Sequence, residues 1–239
     1  FVTNFHFEPN VFFRGDGTGS FLETSHRSGL GGPSMRSLGF GVVAFDADLD
    51  GRLDLAIANG HVNRDSLRIA AAPFAQSMQV FVGEGDGRFG DVTRDAGRPI
   101  NEPRVGRGLA VSDFDDDGRP DLAVSANGGR VALLRNTTAG TRPWIRLTLE
   151  GDGRMSNRSA IGARVEVLAG DCRLTRFVSG GGSYLSASDR RLVVGVPVGV
   201  VDVTAVVYWP SGRTDAYPSL GVNADWMLVE AGSATRLER

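Results

Sequence analysis

From Trp144 onward the chain alternates apolar and polar residues. In "WIRLTLEG" Ile145, Leu147 and Leu149 share one face, and in "AIGARVEVLAG" Ala163, Val165 and Val167 do the same. A period of two sends successive side chains to opposite faces of a strand. The runs "CRLTRFVSG", "RRLVVGVP", "VVDVTAVVYWPSG" and "DWMLVEAG" continue this alternation between Gly, Pro or Asp breaks. Six or seven such strands over residues 144–239 predict a compact β-sandwich.

Residues 1–138 have a different texture, a repeat of short apolar strands. "LGFGVVAF", "LDLAIAN", "MQVFVG" and "RFGDVT" read as four strands, separated by an acidic loop, an insertion from Asn63 to about Ser77, and the tight turn "EGDG". Four antiparallel strands per repeat make a β-propeller blade. A second unit supplies "GRGLAVSDF", "PDLAVSAN" and "RVALLRN" and then stops. The first residues align with the end of the next unit, Asn4 over Asn59 and Phe21 over Phe89, so an earlier acidic loop is expected upstream of Phe1. Fewer than three blades cannot close a ring. The expected fold is therefore all-β: the C-terminal part of a propeller over 1–138, followed by the sandwich. The missing N-terminal part, as a second chain, is an expected partner. Without it, "RVALLRN" offers an open edge for self-association, unless the linker or "WIRLTLE" completes the blade. The linker "NTTAGTRP" is short and polar, which predicts a sandwich packed close to the last blade.

The acidic loops carry the chemistry. "DFDDDGRPD" places Asp113, Asp115, Asp117 and Asp121 at positions 1, 3, 5 and 9, with Gly118 at position 6. "DADLDGRLD" repeats those offsets with Asp46, Asp48, Asp50, Gly51 and Asp54. Alternate carboxylates on a tightly turning backbone converge, and hard oxygen ligands in that number suit Ca2+. The carbonyls of Arg52 and Arg119, at position 7, are expected to add backbone ligands, with the Arg119 side chain turned to solvent. Asp116 occupies an even position and is expected to point away from the ion. An EF-hand needs Glu at position 12, where the second loop has Val124, and helical flanks, where this chain has β-leaning ones. Two Ca2+ sites are expected, with more upstream.

Composition narrows the function classes. A chain of 239 residues, 41% hydrophobic, is ample for a core, and 33 glycines fit a turn-rich β protein. Net charge is −2, so no basic stripe points to nucleic acid. All 26 basic residues are arginine, which reads as base composition of the gene rather than phosphate binding. The single cysteine, Cys172, excludes an internal disulfide and a cysteine-based zinc site, and is expected to be a buried apolar residue. No apolar run reaches membrane-spanning length.

The G-F-G opening followed by D-A-D-L-D-G-R-L-D-L resembles the FG-GAP/VCBS repeat of integrin-type propellers. "FVTNF", "SLGFGVVAFDADLDGRLDLAIANGHV" and "VFVGEGDGRFGDVTRDAG" resemble bacterial relatives of cartilage acidic protein, and "IGARVEV", "SGGGSYLSAS" and "VYWPSGRTD" resemble the ASPIC/UnbV domain that follows the propeller there. Where that family carries a histidine-containing segment after "SGGGSYLS", this chain has "RRLVVGVPVG", and no role is carried over to it. The resemblance implies a secreted, periplasmic or cell-surface calcium-binding protein with no established reaction. UnbV-type members also sit in natural-product pathways. A non-enzymatic module for protein or glycan partners is thus expected. The rival is an accessory or tailoring enzyme in polysaccharide processing or natural-product biosynthesis, with its site in missing blades or between the domains.

Other motifs have plainer readings. Arg14-Gly15-Asp16 spells an adhesion tripeptide but aligns with the G-D-G turn of the next unit. Asn136-Thr137-Thr138 and Asn157-Arg158-Ser159 are sequons that read as loop polarity. His61 is expected to cap a loop carbonyl, His6 and His26 lack companions at ligand spacing, and "SGGGSY" reads as a glycine hairpin.

Overall fold

The computed structural model describes residues 1–65, 72–140 and 142–238; part of the predicted insertion and Thr141 of the linker lie outside them. The architecture is all-β. A hairpin of β1 (Phe13–Gly15) and β2 (Phe21–Glu23) comes first. Next is an antiparallel sheet of β3 (Gly39–Phe45), β4 (Asp54–Asn59), β5 (Gln79–Gly85) and β6 (Arg88–Asp91), in chain order. β7 (Gly106–Ser112), β8 (Asp121–Ala126) and β9 (Ala132–Leu134) repeat that order and stop at three. Each acidic loop joins the first and second strands of its sheet.

The G-x-G openings now have a reason. Both lie at register shifts, between Gly39 and Val42 and between Gly106 and Leu109, where an extra residue bends the strand. They also let the two sheets touch. A Cβ on Gly41 would sit 2.7 Å from the Arg107 carbonyl oxygen, and one on Gly106 would sit 2.7 Å from that of Asn59. Val43, Phe45, Ala56, Ala58, Leu109, Leu122 and Val124 form the shared core between them.

The C-terminal strands are β10 (Trp144–Glu150), β11 (Arg164–Ala169), β12 (Cys172–Phe177), β13 (Leu192–Gly195), β14 (Asp202–Tyr208), β15 (Thr214–Gly221), β16 (Ala224–Val229) and β17 (Ala234–Leu237). They form two four-stranded sheets, β13-β10-β16-β17 and β12-β11-β14-β15. Ile145, Leu147 and Leu149 from one, and Val165, Val167 and Val207 from the other, fill one core, as the alternation predicts. β15 and β17, both edge strands, are not marked by the alternation; β17 is largely exposed, and β15 accommodates Pro218.

One expectation is corrected here, and one of the alternatives falls away. Cys172 is exposed: it opens edge strand β12 at a turn, beyond the reach of the core. "WIRLTLE" does not complete the three-stranded sheet, because β10 pairs with β13 and β16. Among the described residues β9 pairs only with β8, and Val131 and Leu133 beside that edge are exposed.

Candidate metal centres

The two acidic loops share one backbone. Position 4 is left-handed in both, Leu49 at φ 60° and Asp116 at φ 58°, and the position-6 glycines Gly51 and Gly118 lie at φ 88° and 92°. Two of their hydrogen bonds correspond, while the position-5 N–H donates to Asp48 in the first loop and to Asp113 in the second. The position-6 N–H donates to the position-1 carboxylate, at 3.0 Å to Asp46 and 2.9 Å to Asp113. The position-7 N–H donates to position 5, at 2.8 Å to Asp50 and 2.9 Å to Asp117.

These turns bring together Asp46, Asp48 and Asp50 in one cluster and Asp113, Asp115 and Asp117 in the other, with one ligand atom from each residue within 4.8 Å of the rest. The position-9 residues stand slightly apart. Asp54 accepts from the N–H groups of Ala47 and Gly83, both at 2.7 Å. Asp121 accepts from Phe114 at 3.1 Å and Asn136 at 2.7 Å. Asp54 thus ties its loop to β5, and Asp121 ties its loop to the segment just after β9.

A divalent cation fits this donor set on a specific observation. Asp46 is buried, its Oδ2 accepts three hydrogen bonds, and its Oδ1 is buried with no partner. A bare buried carboxylate oxygen is costly unless something cationic meets it. Burial raises the pKa values of Asp46, Asp113 and Asp121, and pushes Asp54 up to about 7, with Asp48 and Asp46 adding repulsion. A carboxyl whose folded pKa lies above its unfolded value favours the protonated fold. Its contribution is full at low pH and declines as pH rises from the unfolded value, about 4, through the folded one. The metal-free chain is therefore expected to lose stability between about pH 4 and 7. Calcium, which needs the ionised form, should bind more tightly across the same interval. Thermal melts at several pH values, with and without calcium, check both slopes; parallel pH profiles would refute the prediction.

Arginines surround both clusters. Arg52 pairs with Asp50 and donates from Nε to the Gly83 carbonyl at 2.6 Å; Arg119 pairs with Asp117 at 2.8 Å. The position-7 side chains stay at least partly in solvent and also lean back over the loops, because a carboxylate two residues away lies within their reach. Arg142 pairs with Asp48 and Arg135 with Asp115 from the segment after β9. Two more come from the C-terminal sheets. Arg176 on β12 donates to Asp46 at 3.4 Å and to the Gly51 carbonyl at 3.0 Å. Arg146 on β10 donates to Asp113 at 2.6 Å. Nothing in the loop spacing signalled these last two.

The remaining motifs resolve into structural roles. Asp16 accepts from the Thr18 and Ser20 N–H groups and the Thr18 hydroxyl, capping the hairpin turn after Arg14-Gly15. Asn136 donates from Nδ2 to the carbonyls of Ala47 and Pro120, so its amide bridges the two loops; Asn157 closes its own turn with Ile161. His61 is buried, and Nδ1 accepts from the Asn63 N–H instead of capping a carbonyl, while burial lowers its pKa. "SGGGSY" is a crossover rather than a hairpin, since β12 and β13 belong to different sheets. At its end, Tyr184 meets Phe40 edge-on, ring centroids 5.0 Å apart.

Between the N-terminal strands and the C-terminal sheets lies a cleft of about 380 Å3, lined by Asp46, Asp113, Arg146, Arg176, Asp189 and Arg191 among others. Its carboxylates are engaged by arginines: Asp46 by Arg176, Asp113 by Arg146, Asp189 by Arg191.

Comparison with known proteins bears on this arrangement. Residues 105–141 match the family model for the FG-GAP repeat, and residues 153–235 that for ASPIC and UnbV. No curated protein matches the chain. Among solved structures, a candidate cell adhesion protein from Bacteroides uniformis aligns with 12% identity over 84% of this chain and 90% of that one. Its TM-score of 0.23 is too low to bear on fold or function. On the two family matches, this chain carries an FG-GAP repeat followed by an ASPIC/UnbV domain.

Proposed function

We propose that this chain is a calcium-loaded interaction module, built from propeller blades over 1–138 and a sandwich domain over 144–239, that acts outside the cell or at its surface. The carrying observation is the pair of acidic loops with matching turns, one of which holds a buried carboxylate oxygen without a partner. Asp46, Asp48 and Asp50, joined by Asp54 and the Arg52 carbonyl, would hold one Ca2+; Asp113, Asp115 and Asp117, with Asp121 and the Arg119 carbonyl, would hold the other. Calcium there neutralises carboxylates that otherwise repel, and so fixes a broad β surface for a protein or glycan partner. The open β9 edge offers a place for a strand from an N-terminal part of the same protein. The rival enzymatic reading needs titratable groups free to act in the cleft, whereas the carboxylates there are held in ion pairs.

Isothermal calorimetry tests the metal reading. The intact chain is expected to take up two Ca2+, and Asp50→Ala and Asp117→Ala one each. Asp116→Ala should keep both sites, since its side chain faces Arg146 at 2.7 Å and Arg191 at 3.1 Å. It should not be silent for stability, because it breaks those contacts. Loss of a full site in Asp116→Ala would refute the ligand register.

A further inference from the structure

We infer that the C-terminal sheets, β10 to β17, form the outer support of both calcium loops, so that cation binding and the seating of these sheets on the N-terminal strands are coupled. The inference rests on the metal reading above and concerns two residues outside the loops, Arg146 and Arg176.

Both arginines come from strands of the C-terminal sheets, and both are buried. Arg146 lies on β10 between Ile145 and Leu147, which face the sandwich core, so its side chain leaves the opposite face. There it meets the second loop. Nη1 donates to Asp113 at 2.6 Å and reaches Asp116 at 2.7 Å. The rest of the guanidinium is fixed in a bidentate pair with Asp225, Nε to Oδ1 at 2.6 Å and Nη2 to Oδ2 at 2.8 Å. Asp225 sits beside Arg146 in register on the parallel strand β16. Such a planar pair aims the remaining N–H groups in one direction. Arg176 reaches the first loop without such a bidentate anchor: Nη2 donates to the Asp46 carboxylate at 3.4 Å and to the Gly51 carbonyl at 3.0 Å, and Nη1 donates to the Thr175 carbonyl.

Backbone and packing contacts repeat the correspondence. The Gly195 N–H on β13 donates to Asp46 Oδ2 at 2.9 Å, and Arg191 donates to the Asp113 carbonyl at 3.1 Å. A Cβ on Gly118 would fall 2.2 Å from the Trp144 ring, and one on Gly51 would fall 3.1 Å from Leu174. Each loop therefore lies flat on the C-terminal sheets at its glycine. In both loops the position-1 carboxylate gives Oδ2 to the supporting sheets. In the first, this leaves Oδ1 bare for the cation.

Arg146 and Arg176 are thus positioning residues: they hold the first ligand of each site at the orientation the ion needs. By linkage, an ion that binds the oriented carboxylate more tightly must in turn strengthen this contact by the same factor.

The test is calorimetric titration of the full chain with CaCl2. In an Asp50→Ala background, where only the second loop binds, Arg146→Gln is expected to weaken calcium about tenfold and Arg176→Gln to leave it unchanged. In an Asp117→Ala background the two effects exchange. This selectivity separates positioning from general destabilisation, which would weaken either site alike. Should Arg146→Gln fail to fold, Arg146→Lys and Asp225→Asn, which spoil the bidentate aim, should weaken the second site in the same direction. In the chain with both loops intact, calcium should also slow hydrogen exchange of the β10 and β12 amides. Two ions taken up with constants that the arginine variants do not alter, or alter indiscriminately, would overturn the coupling while leaving the metal reading intact. No uptake by the unaltered chain would overturn both.

Discussion

Removing calcium is expected to lower the melting temperature of this chain by about 10–20 °C. At free calcium ~100 times the dissociation constant each site adds roughly 2.7 kcal/mol, so two sites add about 5 kcal/mol, and a chain of this size melts about 2–4 °C lower per kcal/mol lost. The structure says where that energy is felt. Both loops connect the first two strands of their sheets; Asp54 reaches on to β5, and Asp121 to Asn136 just after β9. Both also press against the C-terminal sheets. Without the ion, Asp48, Asp50, Asp115 and Asp117 rely on Arg142, Arg52, Arg135 and Arg119, all at least partly exposed and worth little each. Differential scanning calorimetry of metal-stripped protein, with calcium and with a chelator, measures the shift. Coincident transitions would refute it.

Gly195→Ala should destabilise the chain by about 2–4 kcal/mol and cost the first loop its calcium affinity before the second. The added Cβ would lie 2.1 Å from the carbonyl carbon and oxygen of Leu49, which are backbone atoms and cannot rotate away. Leu49 is itself in the left-handed region at φ 60°, so the loop has few conformations in which to retreat. Forced separation also lengthens the Gly195–Asp46 hydrogen bond and exposes the buried carboxylate. Overpacking on that scale ordinarily costs about 1–3 kcal/mol, and a lost bond to a charged group about 1.5–3 more, partly recovered as water enters. Gly221→Ala is the control, since a Cβ there meets nothing within 4 Å and its φ is not in the left-handed region. Chemical denaturation should show a clear midpoint shift for the first variant and little for the second; equal midpoints would refute the packing argument.

Much of the molecule was legible in the residues themselves. Alternation at Ile145, Leu147 and Leu149 and at Val165 and Val167 placed the core-facing sides of β10 and β11, because a half-buried strand writes its two faces directly into the sequence. The D-x-D-x-D-G-x-x-D spacing placed the two carboxylate clusters, because a ligand loop of that kind is built from neighbours along one turn. Reading failed where burial gave no local signal. β15 and β17 are edge strands without an alternating pattern, and Cys172 is exposed because its strand lies at the margin of the sheet. The Arg52 and Arg119 side chains lean over their own loops, a choice set by nearby partners rather than by residue type. Above all, the sequence determined what each loop contains, and the tertiary structure decided what stands behind it. Arg146 and Arg176 are separated from Asp113 and Asp46 by 33 and 130 residues. They meet only because the sandwich sheets pack across both loops, where bare glycines let backbone approach side chain and a guanidinium can replace the lost water around a buried carboxylate.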